Sequence, residues 1–363
     1  MTFRIPHINF FYTWAFAMSI CMGLFVGGSL QNAQASDCHF NLHDELQQQR
    51  NWAGLKTKSL KVDDITWVYS EGGASNKPTI LLIHGLAGSR DNWSSIAKVL
   101  TPYYHVIIPD LPMAGDTIVP KDFDLSVPNV TEKLRRFTEA AHVSNQINIV
   151  GHSVGGSIAL LYASQYAFDT QSLFLISSAG VYHSANTIYL KDPTYLKQLI
   201  VSKKGDLNYV LNQVMYHQPF LSNDYKNAME QNLITHAQET SKIVDQLVAL
   251  KRLYTPDTFS ILARSIEAPT LILWGAEDKI VNVEAAGELK KMLKRAEAPI
   301  ILNHVGHMPI LEADQLVIQY YLPFLEKTQK QKNPLTDGEF KHEVRQFEKS
   351  YDNQQAEQIS LMV

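Results

Sequence analysis

Short apolar segments recur along the first half of this chain and alternate with segments of mixed polarity. The segments at residues 79–83, 105–108, 146–150 and 172–176 consist mainly of Ile, Leu, Val and Phe. Continuous apolar runs of this length are typical of parallel strands that are buried on both faces of a sheet. The segments between them, such as residues 130–141, have helical spacing of their apolar positions. This alternation predicts an α/β fold with a mostly parallel sheet and helices on both faces.

The alternation stops in the middle of the chain and resumes later. Residues 182–265 have a helical pattern without a buried strand, and residues 269–274 then form another apolar run. We therefore predict a helical cap inserted between two strands of one core domain. The predicted divisions are a leader at 1–35, core at 36–181, the cap at 182–265, core at 266–326 and a polar C-terminal extension at 327–363.

The N-terminal segment has the composition of an export signal. Arg4 is the only formally charged residue before Asp37, and an apolar stretch is followed by Ala33-Gln34-Ala35, an A-x-A cleavage pattern. We predict a secretory signal peptide cleaved near Ala35, and a secreted or periplasmic protein. The alternative is an uncleaved membrane anchor, because the apolar stretch approaches the ~20 residues that span a bilayer.

Composition limits the possible functions. The chain has 363 residues, of which 45% are hydrophobic, so it can bury a large core. A formal net charge of −4 gives no basic field for binding nucleic acid. The two cysteines have no metal-ligand spacing, and cleavage near Ala35 would leave Cys38 without an intramolecular partner.

The apolar run at 146–150 leads directly into Gly151-His152-Ser153-Val154-Gly155, which precedes a helical segment. This G-x-S-x-G pattern is typical of a nucleophile elbow, a sharp strand-to-helix turn that raises a serine hydroxyl above the sheet. Glycine is favoured two residues either side of the serine because side chains there would collide with the neighbouring strand and helix. Ser153 is therefore the candidate nucleophile.

A serine hydroxyl needs a base to take its proton and an acid to orient that base. Such groups gather at the carboxyl ends of parallel strands. Asp278 follows the strand predicted at 269–274, with Glu277 as a weaker rival, and His307 follows the last strand, with His304 as its rival. A metal pair of His304 and His307 lacks further ligands at suitable spacing, so neither a metal nor an organic cofactor is expected.

Two backbone N–H groups are needed to bind the negative charge that develops on an attacked carbonyl oxygen. We expect one from Val154, directly after the nucleophile, and one from Leu86, in the loop after the strand at 79–83. Gly85 lets this loop fold tightly against a substrate. His84 is expected to shape the loop and not to take part in the chemistry.

Several motifs together resemble one superfamily. They are His84-Gly85-Leu86-Ala87-Gly88, Asp110-Leu111-Pro112, Gly151-His152-Ser153-Val154-Gly155-Gly156, Ser178-Ala179-Gly180, Trp274-Gly275-Ala276-Glu277-Asp278 and Gly306-His307. In combination they are similar to the α/β-hydrolases. The segment at 214–221 more narrowly resembles the family V bacterial lipases of Moraxella-type bacteria, and animal monoacylglycerol lipases are also similar. The resemblance covers about residues 60–325 and implies a triad of Ser153, Asp278 and His307 with oxyanion donors Leu86 and Val154.

The resemblance implies a serine esterase or lipase that cleaves acyl esters through an acyl-enzyme. The expected partner is a small-molecule or lipid ester, with contact to a lipid interface. The chain departs from its relatives at Met113, where they usually carry glycine, in a loop that borders the active site. The residues expected to contact substrate are His84, Gly85, Met113, His152, Tyr216 and Phe220.

Two rival functions stay open at this point. Another serine hydrolase on the same scaffold, such as a carbon–carbon bond hydrolase, thioesterase or peptidase, would use the same three residues. A non-catalytic binding protein of the same fold would be expected to lack one of them, and none is missing. Epoxide hydrolases and haloalkane dehalogenases carry aspartate at the elbow, so Ser153 argues against both.

Overall fold

The computed structural model describes residues 40–112, 114–143, 146–183, 187 and 192–330. The predicted signal peptide, Cys38, Met113 and residues 331–363 of the predicted C-terminal extension lie outside the described residues. No helix in the described part of the chain is both long enough and apolar enough to span a membrane.

Within the described residues, eight strands form one sheet in the order β1-β2-β4-β3-β5-β6-β7-β8. All neighbouring pairs from β4 to β8 are parallel, whereas β2 runs antiparallel to both β1 and β4. The mostly parallel sheet predicted from the apolar runs is confirmed. The strands are β1 Leu55–Val62, β2 Ile65–Gly72, β3 Thr79–Ile83, β4 His105–Pro109, β5 Ile147–His152, β6 Thr170–Ile176, β7 Thr270–Gly275 and β8 Ile300–Leu302.

Helices cover both faces of the sheet, and consecutive strand residues point to opposite faces. Leu81 and Ile83 of β3 enter one apolar cluster, and Ile80 and Leu82 enter the other. The described α-helices are α1 Leu42–Trp52, α2 Ser94–Leu100, α3 Val127–Ala140, α4 Val154–Gln165, α5 Asp206–Val214, α6 Asn223–Thr235, α7 Ala237–Leu253, α8 Pro256–Ser265, α9 Glu284–Met292, α10 Pro309–Glu312 and α11 Asp314–Lys330.

Among the described residues between β6 and β7, all regular structure is helical, as the pattern predicts. A 3₁₀ helix at Pro193–Leu199 and helices α5 to α7 form what we call the helical insert, residues 192–253. Its own small core contains Val201, Leu207, Leu211 and Met215. The following helix α8 packs against α4 and α9, so it covers the sheet together with the core helices.

Two local features before β4 are not apparent from the apolar pattern of the sequence. Helix α1 and the first half of the edge strand β1 lie within residues 40–58, which are mostly polar. The N-cap residue of α2 is Trp93, and no side chain caps this helix. Ser89 caps a 3₁₀ helix at Arg90–Trp93, and the Asp91 carboxylate accepts from the Arg50 guanidinium at 2.8 Å.

Candidate active site

Ser153 occupies a strained turn between β5 and α4. Its φ of 53° and ψ of −119° are unfavourable for a residue with a side chain, and its N–H donates to the carbonyl of Ile176 at 3.0 Å. A Cβ at Gly151 would lie 2.2 Å from the Gly155 carbonyl oxygen, and one at Gly155 would lie 2.4 Å from that of Ile83. Both glycines are therefore required sterically for the sharp turn that the sequence pattern predicts.

His307 lies between Ser153 and Asp278. Its Nε2 atom is 2.8 Å from Ser153 Oγ, and its Nδ1 atom is 2.8 Å from Asp278 Oδ2. A carboxylate only accepts hydrogen bonds, so Nδ1 carries the proton and Nε2 is free to accept from the serine hydroxyl. The structure thus brings together the three side chains singled out from three separate strand ends.

The Asp278 carboxylate is fixed by its own loop. Oδ1 accepts from the N–H groups of Ile280 at 2.8 Å and Val281 at 2.9 Å, and the side chain is fully buried. The indole Nε1 of Trp274 in turn donates to the carbonyl of Val281 at 2.9 Å. Because Oδ1 is occupied in this way, Oδ2 is held in one direction, towards His307.

The Glu277 side chain points towards the loop that carries His307. Its Oε2 atom accepts from the N–H of Val305 at 3.0 Å, and its Oε1 atom lies 3.7 Å from His304 Nδ1. Glu277 therefore contacts the loop that carries His307 without contacting His307 itself. No group of three or more potential ligands that could hold a metal ion occurs among the described residues.

Leu86 and Val154, the residues expected to supply the oxyanion donors, both lie at the cavity that contains Ser153. Val154 is the first residue of α4, so its N–H has no acceptor within the helix. Leu86 lies in a turn closed by the bond from Gly88 N–H to the Gly85 carbonyl at 3.2 Å. Both Leu86 and Val154 border the same cavity as Ser153 and His307.

His84 is fully buried behind this turn and does not line the cavity. Its Nδ1 donates to the Gly85 carbonyl at 2.9 Å and its Nε2 accepts from the Leu111 N–H at 3.0 Å. Burial lowers the pKa of His84 to about 4, so the ring is neutral. The expectation that His84 and Gly85 contact substrate is corrected, because neither residue lines the cavity. Their polar atoms instead hold the turn through hydrogen bonds to each other and to Leu111.

A buried ion pair supports the same turn. The Arg90 N–H donates to Asp110 Oδ1 at 2.7 Å, and the Arg90 guanidinium contacts Asp110 Oδ2 and lies 2.6 Å from Asp116 Oδ2. Arg90 and Asp110 are both almost fully buried. The loops after β3 and β4 are thereby locked together, which explains physically why an aspartate begins the Asp110-Leu111-Pro112 motif.

His152 lines the cavity, and it also has a structural role that sequence reasoning missed. Its Nε2 donates to the backbone carbonyl of His307 at 2.7 Å. Burial, with a further contribution from His307, lowers the pKa of His152 to about 3. A neutral His152 therefore stays a hydrogen-bond donor to the backbone of His307.

An apolar cavity of about 170 Å³ leads from Ser153 into the helical insert. Its apolar wall consists of Leu196, Leu199, Val201, Leu207, Val210, Leu211, Val214, Met215, Met229, Leu233 and Leu247 from the insert, with Leu86, Ala87, Val154, Ala179, Val181, Ile280, Val281, Met308 and Leu311 from the core. The residues that line it include no Asp, Glu, Lys or Arg. The cavity therefore suits a flexible hydrocarbon chain.

The prediction that Tyr216 and Phe220 contact substrate is wrong. Tyr216 and Phe220 are 45% and 75% exposed and do not line it. Chain direction explains the difference, because α5 ends at Val214 and the next residue, Met215, turns into the cavity. Tyr216 points the other way and packs against the ring of His304, with ring centroids 5.5 Å apart.

Comparison with known proteins agrees with this geometry. A family model described as the alpha/beta hydrolase fold matches residues 78–314, and the chain belongs to this family. The chain is 32% identical over 270 residues to Lipase 1 of Psychrobacter immobilis, covering 74% of this chain and 83% of that protein. It is also 29% identical over 287 residues to Lipase 3 of Moraxella sp. (strain TA144), covering 78% of this chain and 89% of that protein. The resemblance to this superfamily and to Moraxella-type lipases is confirmed.

Two solved structures are also similar. One is a candidate lipase (lip1) of Acinetobacter baumannii AYE, with 63% identity, a TM-score of 0.80, and coverage of 82% of this chain and 99% of that chain. The other is a membrane phospholipase A described as a bacterial virulence factor, with 32% identity, a TM-score of 0.74, and coverage of 79% and 91%. Both comparisons extend over most of the described residues.

Proposed function

We propose that this protein is a serine hydrolase that cleaves the carboxylic ester bonds of lipids. The observation that carries the proposal is the unbroken hydrogen-bond chain from Ser153 Oγ through His307 to Asp278, with two contacts of 2.8 Å, at the end of an apolar cavity. The chain's similarity to a protein named Lipase 1 supports the same reaction.

Ser153 acts as the nucleophile and His307 as the base. The serine proton moves to His307 Nε2 while Oγ attacks the ester carbonyl carbon, and the Leu86 and Val154 N–H groups donate to the oxyanion. His307 then protonates the departing alkoxide, which leaves an acyl group on Ser153. A water molecule, deprotonated by His307, attacks this acyl-enzyme, and the fatty acid is released with Ser153 regenerated. Asp278 holds the tautomer and stabilises the imidazolium.

The acyl chain occupies the cavity between Ser153 and the helical insert. Its wall is aliphatic, and burial of apolar surface favours a chain by ~0.8 kcal/mol per CH₂ group. The insert acts as the predicted cap and sets the preferred chain length, because most of the apolar wall residues come from it. An uncharged aliphatic wall favours an acyl ester over the aromatic or peptide substrates of the rival hydrolase classes.

We further propose that the loop after α5 meets the lipid phase. Phe220 is 75% exposed and Tyr216 45% exposed, and the loop begins beside the cavity residue Met215. Sedimentation with phosphatidylcholine–phosphatidylglycerol vesicles tests this with Phe220→Asp, and Phe168→Asp is the matched control. Phe168 is 95% exposed but precedes β6, at the amino ends of the parallel strands and therefore at the opposite end of the sheet from Ser153. We expect only Phe220→Asp to lose vesicle binding. Loss of vesicle binding in both variants, or in neither, would contradict the proposal that the loop after α5 contacts lipid.

Export remains a proposal based on the A-x-A pattern at Ala33-Gln34-Ala35. N-terminal sequencing should show that the exported protein begins at Ser36. Recovery of a chain that begins at Met1 in the membrane fraction would support the anchor instead.

The reaction is tested with Ser153→Ala on nitrophenyl and glycerol esters of graded acyl length. We expect turnover to fall by ~10⁶ while the circular dichroism spectrum is unchanged. A parallel panel of thioesters, peptides and vinylogous diketones separates the rival hydrolases, which would turn over one of these faster than any ester. A folded variant that keeps a tenth of the activity would rule out the serine mechanism.

A further inference from the structure

The backbone of His307 is held from two sides. Its N–H donates to the carbonyl of Val214 at 2.8 Å, and its carbonyl accepts from His152 Nε2 at 2.7 Å. Val214 is the last residue of α5, whereas His152 belongs to the sheet. The base therefore lies at the contact between the core and the helical insert.

The Glu312 carboxylate joins the same two parts of the chain. Its Oε2 atom accepts from the N–H groups of Tyr216 at 2.7 Å and His217 at 3.1 Å. Its Oε1 atom accepts from Gly306 at 3.0 Å and Met308 at 3.2 Å. One carboxylate thus binds four N–H groups, two that flank His307 and two that follow α5. Hydrogen bonds to an ionised acceptor are stronger than those between neutral groups.

The two backbones are also in close contact. A Cβ at Gly306 would lie 2.8 Å from the Tyr216 nitrogen and 2.9 Å from the Val214 carbonyl oxygen. Any side chain at this position would push the His307 loop away from the insert. The relative position of the two segments is therefore fixed sterically by Gly306 and electrostatically by Glu312.

We propose that Glu312 is a positioning residue for ester hydrolysis. It locks the loop of His307 to the segment 214–217, so that the geometry of the base depends on the insert that encloses the acyl chain. This inference rests on the proposed function. A carboxylate suits the role because it only accepts hydrogen bonds, whereas the amide nitrogen of a glutamine would face N–H donors.

The test compares Glu312→Gln with Glu297→Gln. Glu297 pairs with Lys327 beside the opposite end of β7, so this control removes a carboxylate charge far from Ser153. For each variant, kcat and KM on a short-chain nitrophenyl ester are measured, and active sites are counted with a fluorophosphonate. Displacement of a catalytic group by about 1 Å costs about 100-fold, so we expect kcat per titrated site to fall by ~10- to 100-fold in Glu312→Gln. KM should change by less than about threefold, and Glu297→Gln should match wild type.

A purely structural Glu312 would give a different result. Its loss would lower the melting temperature and the number of titratable sites but leave kcat per site unchanged, and that outcome would overturn the proposal. If wild type hydrolyses no ester, the proposed function fails instead, whatever Glu312 does.

Gly306→Ala provides the second variant, and it keeps the question answerable if Glu312→Gln does not fold. It disturbs the same contact from the other side, so kcat per site should also fall. In the double variant the two losses should be clearly less than additive in free energy, because both act on one contact. An unchanged kcat per site in Gly306→Ala, or fully additive losses, would contradict the proposal.

Discussion

The Nδ1 atom of His307 lies 2.8 Å from Asp278 Oδ2, and the other oxygen of this carboxylate already accepts two backbone N–H groups. Asp278 is fully buried, and its two oxygens therefore have separate partners. The neighbouring carboxylate of Glu277 bonds to the Val305 N–H and not to the imidazole. The two adjacent acids thus have different roles that charge alone cannot distinguish.

Asp278→Asn should lose at least about a thousandfold in kcat, because the wrong tautomer of His307 costs ~10⁴ in comparable triads. Glu277→Gln, with one amide oxygen still able to accept from Val305, should lose less than about tenfold. Both variants are assayed on one short-chain ester, and folding is checked by circular dichroism. The reverse order of effects would assign the orienting role to Glu277.

Val210→Phe should shift preference towards shorter acyl chains. Val210 lines the cavity, and a larger side chain there reduces the space for the distal part of the substrate. We expect the ratio of kcat/KM for dodecanoate to that for butanoate to fall by at least about tenfold, the scale on which hydrophobic pockets distinguish substrates. The neighbouring Tyr209→Ala is the control, since Tyr209 is exposed and does not line the cavity. Equal chain-length profiles in wild type and Val210→Phe would place the acyl chain elsewhere.

Gly155→Ala should destabilise the fold, because its Cβ would lie 2.4 Å from the Ile83 carbonyl oxygen and 2.5 Å from that of His84. Overpacking of this kind costs about 1–3 kcal/mol and sometimes more. Gly287→Ala, on helix α9 with open space around the new methyl group, should be neutral or stabilising by up to about 1 kcal/mol. Urea unfolding of both variants measures the difference. Equal stabilities would show that the elbow tolerates a side chain.

The free energy of unfolding should decrease on acidification below about pH 6.5. The pKa of His84 is lowered to about 4 and that of His152 to about 3. Between these values and 6.5, the two histidines bind protons in the unfolded chain but stay neutral in the folded chain. Their contribution to the free energy of unfolding is therefore fully present above pH 6.5 and is lost as the pH falls towards 4 and below. Each histidine contributes a slope of up to about 1.4 kcal/mol per pH unit.

His152→Gln isolates one of these contributions. The Gln amide nitrogen can replace the donor to the His307 carbonyl but does not titrate. Urea unfolding at several pH values between 4.5 and 7.5 should therefore show a shallower loss of stability than in wild type. Identical slopes in the two proteins would mean that His152 titrates alike in the folded and unfolded chain.

The sequence predicted best those parts of the fold in which the apolar pattern directly reflects burial in the core. The strands β3 to β6 are buried on both faces, so their apolar runs were distinctive, and the glycines around Ser153 follow from steric contact. β1 escaped prediction because Lys56 to Ser59 are exposed at the edge of the sheet and give no apolar pattern. Its pairing with β2 is a tertiary property.

The direction in which a side chain points was the second property that the sequence did not predict. Met215 and Tyr216 are adjacent, and sequence favoured the aromatic side chain as a substrate wall, but only Met215 faces the cavity. Glu312 gave no sequence signal either, because the N–H groups that it binds come from residues 4 to 96 positions away. Such contacts depend on how the insert and the core meet in three dimensions.

The most direct test of the central claim is identification of the acylated residue. The protein is mixed with excess nitrophenyl ester, quenched in acid at the steady state, and analysed by mass spectrometry of the intact chain and its peptides. We predict one acyl group per chain, located on the peptide that contains Ser153, and none in Ser153→Ala. An acyl group on another residue, or ester turnover in Ser153→Ala at the wild-type rate, would contradict the account.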